Sequence, residues 1–145
     1  MKIYFSGSIR GGREHAKWYE FIVNEIKKYG EVLTEFVADQ SLTSYGVEDL
    51  SEEQIYKRDI QFIVESDVVI ADVTVPSLGV GYELAYAEKL NKKIFCLYRE
   101  TEGRTISAMI AGNNNFKVFS YTKEDDISRF LESIFADLKR GDVPV

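Results

Sequence analysis

The stretch DVVIADVTVPSLGVGYELAYA, Asp67 to Ala87, passes from an apolar run through a glycine-rich turn marked by Pro76, Gly79 and Gly81 into a helix-forming segment that carries a carboxylate, Glu83. At helical spacing Glu83 shares a stripe with Tyr86, Ala87 and Leu90, a side expected to face protein. A carboxylate on such a stripe needs a partner or a task, because burying it unpaired is costly. The competing reading is an acid in the first helical turn, placed there to meet the helix dipole. Asp59, in YKRDI, falls inside another helical segment, where Lys57 and Arg58 would make it part of an ordinary charged surface. Tyr4 lies on the first strand-like run, and its hydroxyl needs a polar partner if the ring is core.

GSIRGGR, Gly7 to Arg13, follows the first strand and opens the first helix. Backbone N–H groups and the helix dipole at such a place suit an anion such as phosphate, with Arg10 or Arg13 adding charge. The spacing matches neither the dinucleotide GxGxxG pattern nor the Walker A pattern, so a tight turn with solvated arginines stands as the other reading. A serine or cysteine triad would depend on His15, the single histidine, which sits among Glu14, Lys17 and Glu20 and reads as solvated. Cys96, inside an apolar strand, reads as an inert core thiol. No cluster has metal-ligand spacing, which leaves acid–base work to carboxylates and tyrosine.

Strands are expected at Lys2 to Ser6, Glu31 to Thr34, Asp67 to Asp72, Lys93 to Tyr98 and Phe116 to Phe119, each rich in Ile, Val, Phe or Tyr. Helical patterns lie between and after them, at about Arg13 to Tyr29, Ser51 to Glu65, the segment holding Glu83, Ile106 to Ala111 and Lys123 to Leu138. Ser51 with Gln54 three residues on forms a capping-box signature. Alternation of this kind predicts α/β architecture: one doubly wound, flavodoxin- or Rossmann-like domain over residues 1–145, its five-stranded parallel sheet flanked by helices. Ligands of such sheets sit at the carboxyl ends of the strands where strand order reverses. That rule selects Gly7 to Gly12, Glu35 to Leu50 and Thr74 to Gly81, the middle stretch being long enough for a lid.

With 24 acidic and 18 basic residues, the net charge of −6 argues against a nucleic-acid surface. One cysteine excludes an internal disulfide and fits a reducing compartment. No long apolar stretch suggests export or a membrane span, so a cytoplasmic protein is expected.

Several ordered motifs carry a family resemblance: YFSGSIRGGRE at Tyr4 to Glu14, VLTE at Val32 to Glu35, the aspartate of YKRDI, PSLGVGYEL at Pro76 to Leu84, and GRTISAMI at Gly103 to Ile110. Over nearly its whole length the chain resembles the 2′-deoxynucleoside 5′-phosphate N-hydrolases, relatives of the nucleoside 2-deoxyribosyltransferases. The resemblance implies a nucleoside 2-deoxyribosyltransferase-like domain that cleaves deoxynucleoside 5′-monophosphates without metal or cofactor. Glu83 would be the nucleophile, Tyr4 would hold it, and Asp59 would stand near the leaving base. Gly7, Ser8, Ile9 and Arg10 would meet the phosphate, with Ser77 and Gly79 contributing from the second loop. Ser107 and Met109 would reach into a neighbouring subunit's site, which implies a homodimer.

Where the best-known members have histidine after VLTE, this chain has Phe36, which offers stacking in place of a polar contact. The transferases carry an acid near the position of Ser77; a serine beside a phosphate avoids like-charge repulsion and favours the nucleotide substrate. Two other functions remain open at this level. One is a deoxyribosyltransferase that hands the sugar to a second base, and the other is a non-catalytic nucleotide sensor.

Overall fold

The computed structural model describes residues 1–9, 15–38, 50–101, 103 and 105–141. Five short strands build one parallel sheet: β1 (Lys2–Ser6), β2 (Glu31–Val32), β3 (Val68–Asp72), β4 (Lys93–Arg99) and β5 (Phe116–Tyr121), in the order β2-β1-β3-β4-β5. Every residue of β3 is buried, as a strand covered on both faces requires, and its β-branched side chains suit that pleated surface. Register places Phe5 opposite Ile70, and Ile70 opposite Phe95. The chain leaves β1 toward β2 on one side and reaches β3 on the other, so strand order reverses between β1 and β3.

The crossovers are α1 (Ala16–Ile26), α2 (Glu52–Glu65), α3 (Leu78–Lys89) and α4 (Ala108–Ala111), and α5 (Glu124–Lys139) closes the fold. Two apolar cores result. On one face Ile3, Phe5, Ile70, Phe95 and Leu97 meet Ile22 and Ile26 of α1 and Leu131 and Ile134 of α5. On the other, Tyr4, Val69, Ala71 and Cys96 meet Ile63 of α2 and Val80, Leu84 and Ala87 of α3. Strand alternation thus sends Tyr4 toward α2 and α3 while its neighbours Ile3 and Phe5 face α1 and α5.

Ser51 caps α2 with the expected reciprocal box: its hydroxyl accepts from the Gln54 N–H at 3.1 Å, and its own N–H donates to the Gln54 side chain at 2.8 Å. Ser77 caps α3 by accepting from the Val80 N–H at 3.2 Å. Because α3 begins at Leu78, Gly79 and Gly81 are helical residues, where the sequence suggested a turn. The same early start leaves no acid in its first turn and puts Glu83 in the second, which removes the dipole reading of that residue. Leu90, expected on the buried stripe, is the C-cap and 40% exposed. The buried stripe is instead Val80, Leu84 and Ala87, with Glu83 half-buried at its edge.

Other boundaries moved as well. β2 ends at Val32, since Leu33 and Thr34 enter a turn and Glu35–Ala38 form a 3-10 helix. β5 runs on to Tyr121, and the described part of the first helix starts at Ala16. Of the stretch expected to be a lid, residues 39–49 lie outside the described residues. So do Arg10 and Arg13.

Candidate active site

At the reversal point three elements converge on one carboxylate. β1 supplies Tyr4 and, two residues on along the same strand face, Ser6; α2 supplies Asp59; α3 supplies Glu83. The Ser6 hydroxyl donates to Glu83 Oε2, and the Tyr4 hydroxyl donates to the same side chain. Tyr4 itself is 2% exposed, which answers the need for a polar partner raised by its position. Burial raises the Glu83 carboxyl from an ordinary 4.5 to about 7; the Ser6 bond pulls it down, the Asp59 charge pushes it up, and the Tyr4 bond and Arg58 pull it down. Burial also drives the Tyr4 hydroxyl far above its usual range, helped by the charges of Glu83 and Asp59, so it stays a donor.

Asp59 is not a plain surface acid. Its carboxyl is pushed up by burial, against the pull of Arg58, whose Nε–H donates to Asp59 Oδ1 at 2.9 Å. The Arg58 guanidinium in turn lies over the Phe36 ring, 4.1 Å from its centroid. Two carboxylates with raised proton affinity, one tyrosine donor and one cation brought together from three elements form the kind of constellation that acid–base and nucleophilic chemistry uses.

The first loop departs from β1 beside this cluster. A Cβ on Gly7 would come within 3.1 Å of the Tyr19 ring, so glycine lets the chain pass over that ring. The fully buried Ser8 donates its N–H to the Tyr19 hydroxyl at 3.2 Å. That N–H is therefore directed into the protein, where the sequence reading aimed it at an anion. Ile9 is half-buried against the α1 core, and Gly79 is exposed at the start of α3.

Ser77, Ser107 and Met109 fall elsewhere. They line a groove of about 350 Å³ between α3 and α4, together with Val80, Leu84 and Phe116, and neither Glu83, Asp59 nor Tyr4 lines it. Ser107 caps α4 by accepting from the Met109 N–H at 3.2 Å, and the Met109 side chain is 81% exposed.

His15 corrects the reading of a solvated histidine: it is 8% exposed and its Nδ1 meets Arg99. It belongs to a buried polar group at the ends of β3, β4 and β5, where Asp72 accepts from the Tyr121 hydroxyl at 2.6 Å and from the Thr74 N–H at 3.0 Å. Cys96 is fully buried and its thiol is pushed up to about 12, as expected of an inert core residue. Among the described residues no group of three or more His, Cys, Asp or Glu is placed to hold a metal ion. Ser6 is the site residue that motif reading missed, although its signal was present: it follows Tyr4 at the strand period of two.

A doubly wound sheet with paired carboxylates at its reversal point defines a small-molecule site of the kind α/β enzymes build. Residues 3–125 match the family model described as nucleoside 2-deoxyribosyltransferase, and the chain belongs to that family. A zebrafish (Danio rerio) protein named 5-hydroxymethyl-dUMP N-hydrolase is 46% identical over 144 residues, covering 97% of this chain and 100% of its own. A mouse (Mus musculus) protein of the same name is 49% identical over 127 residues, 85% of this chain and 73% of its own. A Nematostella vectensis protein that carries the provisional name 2′-deoxynucleoside 5′-phosphate N-hydrolase 1 is 46% identical over 140 residues, covering 94% of this chain and 95% of its own. The fold matches that of the Clostridium botulinum CMP N-glycosidase BcmB with a TM-score of 0.61 at 23% identity, over 91% of this chain and 99% of that one. The solution structure of BlsM matches with a TM-score of 0.68 at 17% identity, covering 95% and 93%.

Proposed function

We propose that this protein hydrolyses the N-glycosidic bond of 2′-deoxynucleoside 5′-monophosphates, releasing free base and 2-deoxyribose 5-phosphate through a sugar ester on Glu83. The observation that carries the reading is the Glu83 carboxylate, held by the hydroxyls of Ser6 and Tyr4 and raised to about 7. Near neutral pH such a group is ionised in a large fraction of molecules and more basic than an exposed glutamate, which suits a nucleophile. The N-hydrolase names of relatives 46% to 49% identical support the substrate class.

In the first step a Glu83 oxygen bonds to C1′ as the C1′–N bond breaks, and the bond's electron pair leaves with the base. Asp59, whose proton affinity burial raises, delivers the proton that spares the base from leaving as an anion. In the second step the Asp59 carboxylate takes a proton from water, the water oxygen bonds to C1′, and the ester C–O bond breaks. One water is consumed, and both side chains return to their starting state. Tyr4 and Ser6 hold the nucleophile on the line of attack. No cofactor or metal enters either step.

In this reading the first loop, with Gly7, Ser8, Ile9 and Arg10, serves the phosphate together with Ser77 and Gly79 from the α3 end, the Ser8 N–H being taken by Tyr19 and not among the donors. Ser107 and Met109 serve the site of a second copy, a homodimer in which each protomer completes the other; the exposed Met109 side chain supports that assignment. Residues 1–145 act as one domain, the ligand is a small molecule and neither nucleic acid nor membrane, and the compartment is the cytoplasm. Among the described residues no helix is long and apolar enough to cross a membrane.

The test is product analysis with the four deoxynucleoside 5′-monophosphates, their unphosphorylated counterparts and one ribonucleotide, beside Glu83→Ala. Base release from the phosphorylated deoxy compounds, lowered at least ~10³-fold in the variant, is the expected result. Cleavage of unphosphorylated nucleosides would point to a deoxyribosyltransferase, and binding without cleavage to a sensor.

A further inference from the structure

We propose that Arg58 is a positioning residue of this site: clamped between the Phe36 ring and the Asp59 carboxylate, its guanidinium orients Asp59 and supplies the positive charge against which Asp59 and Glu83 are arranged. An arginine next in sequence to an aspartate is ordinarily a solvated pair of small consequence. Here the geometry differs. Nε–H reaches Asp59 Oδ1 at 2.9 Å, the guanidinium stacks 4.1 Å from the Phe36 centroid, and both members of the pair are only about one-fifth exposed, 23% and 20%. A planar guanidinium does both at once, binding through its edge and stacking through its face, which a lysine ammonium cannot match.

The platform beneath it is fixed. Phe36 lies in the 3-10 turn that follows β2, and Thr34 ties the start of that turn to β1 twice. Its hydroxyl donates to the Phe5 carbonyl at 2.6 Å and accepts from the Phe5 N–H at 2.8 Å. Lys27 and Glu35 pair across the turn's outer side at 2.6 Å, and Lys57 pairs outward with Glu53, so neither lysine is directed at the site. From β1 the groups facing the carboxylates are Tyr4 and Ser6; from α2 they are Asp59 and Arg58; β3 and β4 present Val69, Ala71, Ile94 and the neutral Cys96 thiol. Among the described residues Arg58 is the cation that acts on Tyr4, Asp59 and Glu83 alike, lowering the proton affinity of each.

This assignment rests on the hydrolase reading and has a readout independent of it. In the pH profile of kcat/KM, the acid limb follows ionisation of Glu83 and the alkaline limb loss of the Asp59 proton. Arg58→Gln is expected to move both limbs upward by about half to one pH unit, a three- to tenfold fall in rate on the acid side. Arg58→Lys keeps the charge, so it should hold the limbs near their wild-type positions while lowering the rate. Phe36→Leu, which frees the guanidinium, should shift them in the same direction as Arg58→Gln but less. Carboxyl ¹³C titration of Glu83 and Asp59 should show the same upward movement in Arg58→Gln without any turnover. Limbs and ¹³C midpoints that stay in place, whatever the rate, would overturn the role of Arg58. A wild-type protein that cleaves nothing would instead overturn the hydrolase reading, and the ¹³C midpoints would still judge Arg58.

Discussion

Ser6 and Glu83 stand 77 positions apart in the chain, yet the serine hydroxyl donates a hydrogen bond to the glutamate carboxylate. Parallel pairing of β1 with β3 brings this about, because α3 follows β3 and returns across the end of β1. The bond favours the ionised carboxylate, and hydrogen bonds to charged groups are worth about 1.5–3 kcal/mol. Ser6→Ala should therefore raise the Glu83 midpoint above about 7 and displace the acid limb of the pH–rate profile upward by about one unit or more. A kinetic pH profile of the variant checks this, with an unmoved limb as the contrary result.

Raised proton affinity in the folded state also carries a stability consequence. Unfolded Glu83 titrates near 4.5 and folded Glu83 near about 7, so its protonated form favours folding below 4.5 and that contribution disappears as pH rises through 7. Glu83→Gln, neutral at every pH, should melt close to wild type at pH 4 and above it at pH 8, by up to about 3 kcal/mol before solvent screening reduces it. Thermal melts of the two proteins at both pH values measure the difference. Equal offsets at pH 4 and 8 would contradict the burial of this carboxylate.

Asp59→Asn removes the proton donor of the first step. The rate should fall about 10²- to 10⁴-fold, the usual worth of general acid catalysis. A substrate with a better leaving base should recover more of the lost rate in the variant than in wild type. Steady-state kinetics on two bases of different acidity test the donor role; equal losses on both would exclude it.

Tyr121 and Asp72 offer a prediction away from the cleft. Asp72 is 1% exposed, and its Oδ2 accepts from the Tyr121 hydroxyl at 2.6 Å. Tyr121→Phe leaves that oxygen without this donor in a buried place, at a cost of about 1–3 kcal/mol. Urea unfolding should show the lower midpoint with an unchanged slope, and the Glu83-dependent rate should persist.

The strands were legible because each is a short β-branched or aromatic run, and β3 is buried along its whole length. Its neighbours in the sheet then followed from alternation with helices. Glu83 was legible as a carboxylate on the edge of an apolar stripe, but the exact stripe was not: the helix ends at Lys89, which leaves Leu90 as an exposed C-cap, and the buried side runs through Val80, Leu84 and Ala87. Asp59 and Arg58 read as surface because helical spacing says nothing of Phe36, which the edge of the sheet brings over them from 22 residues upstream of Arg58. His15 was misread for a similar reason. Its partner Arg99 lies 84 positions away, at the end of β4, and only strand order joins them.

The central claim is a covalent sugar on Glu83, and intact-mass spectrometry of acid-quenched enzyme and substrate tests it most directly. Slowing the second step, with Asp59→Asn and a good leaving base, should reveal protein heavier by one 2-deoxyribose 5-phosphate less one water. Peptide mapping should place the added mass on Glu83. Base release without adduct under these conditions, or an adduct mapped to another residue, would contradict the account.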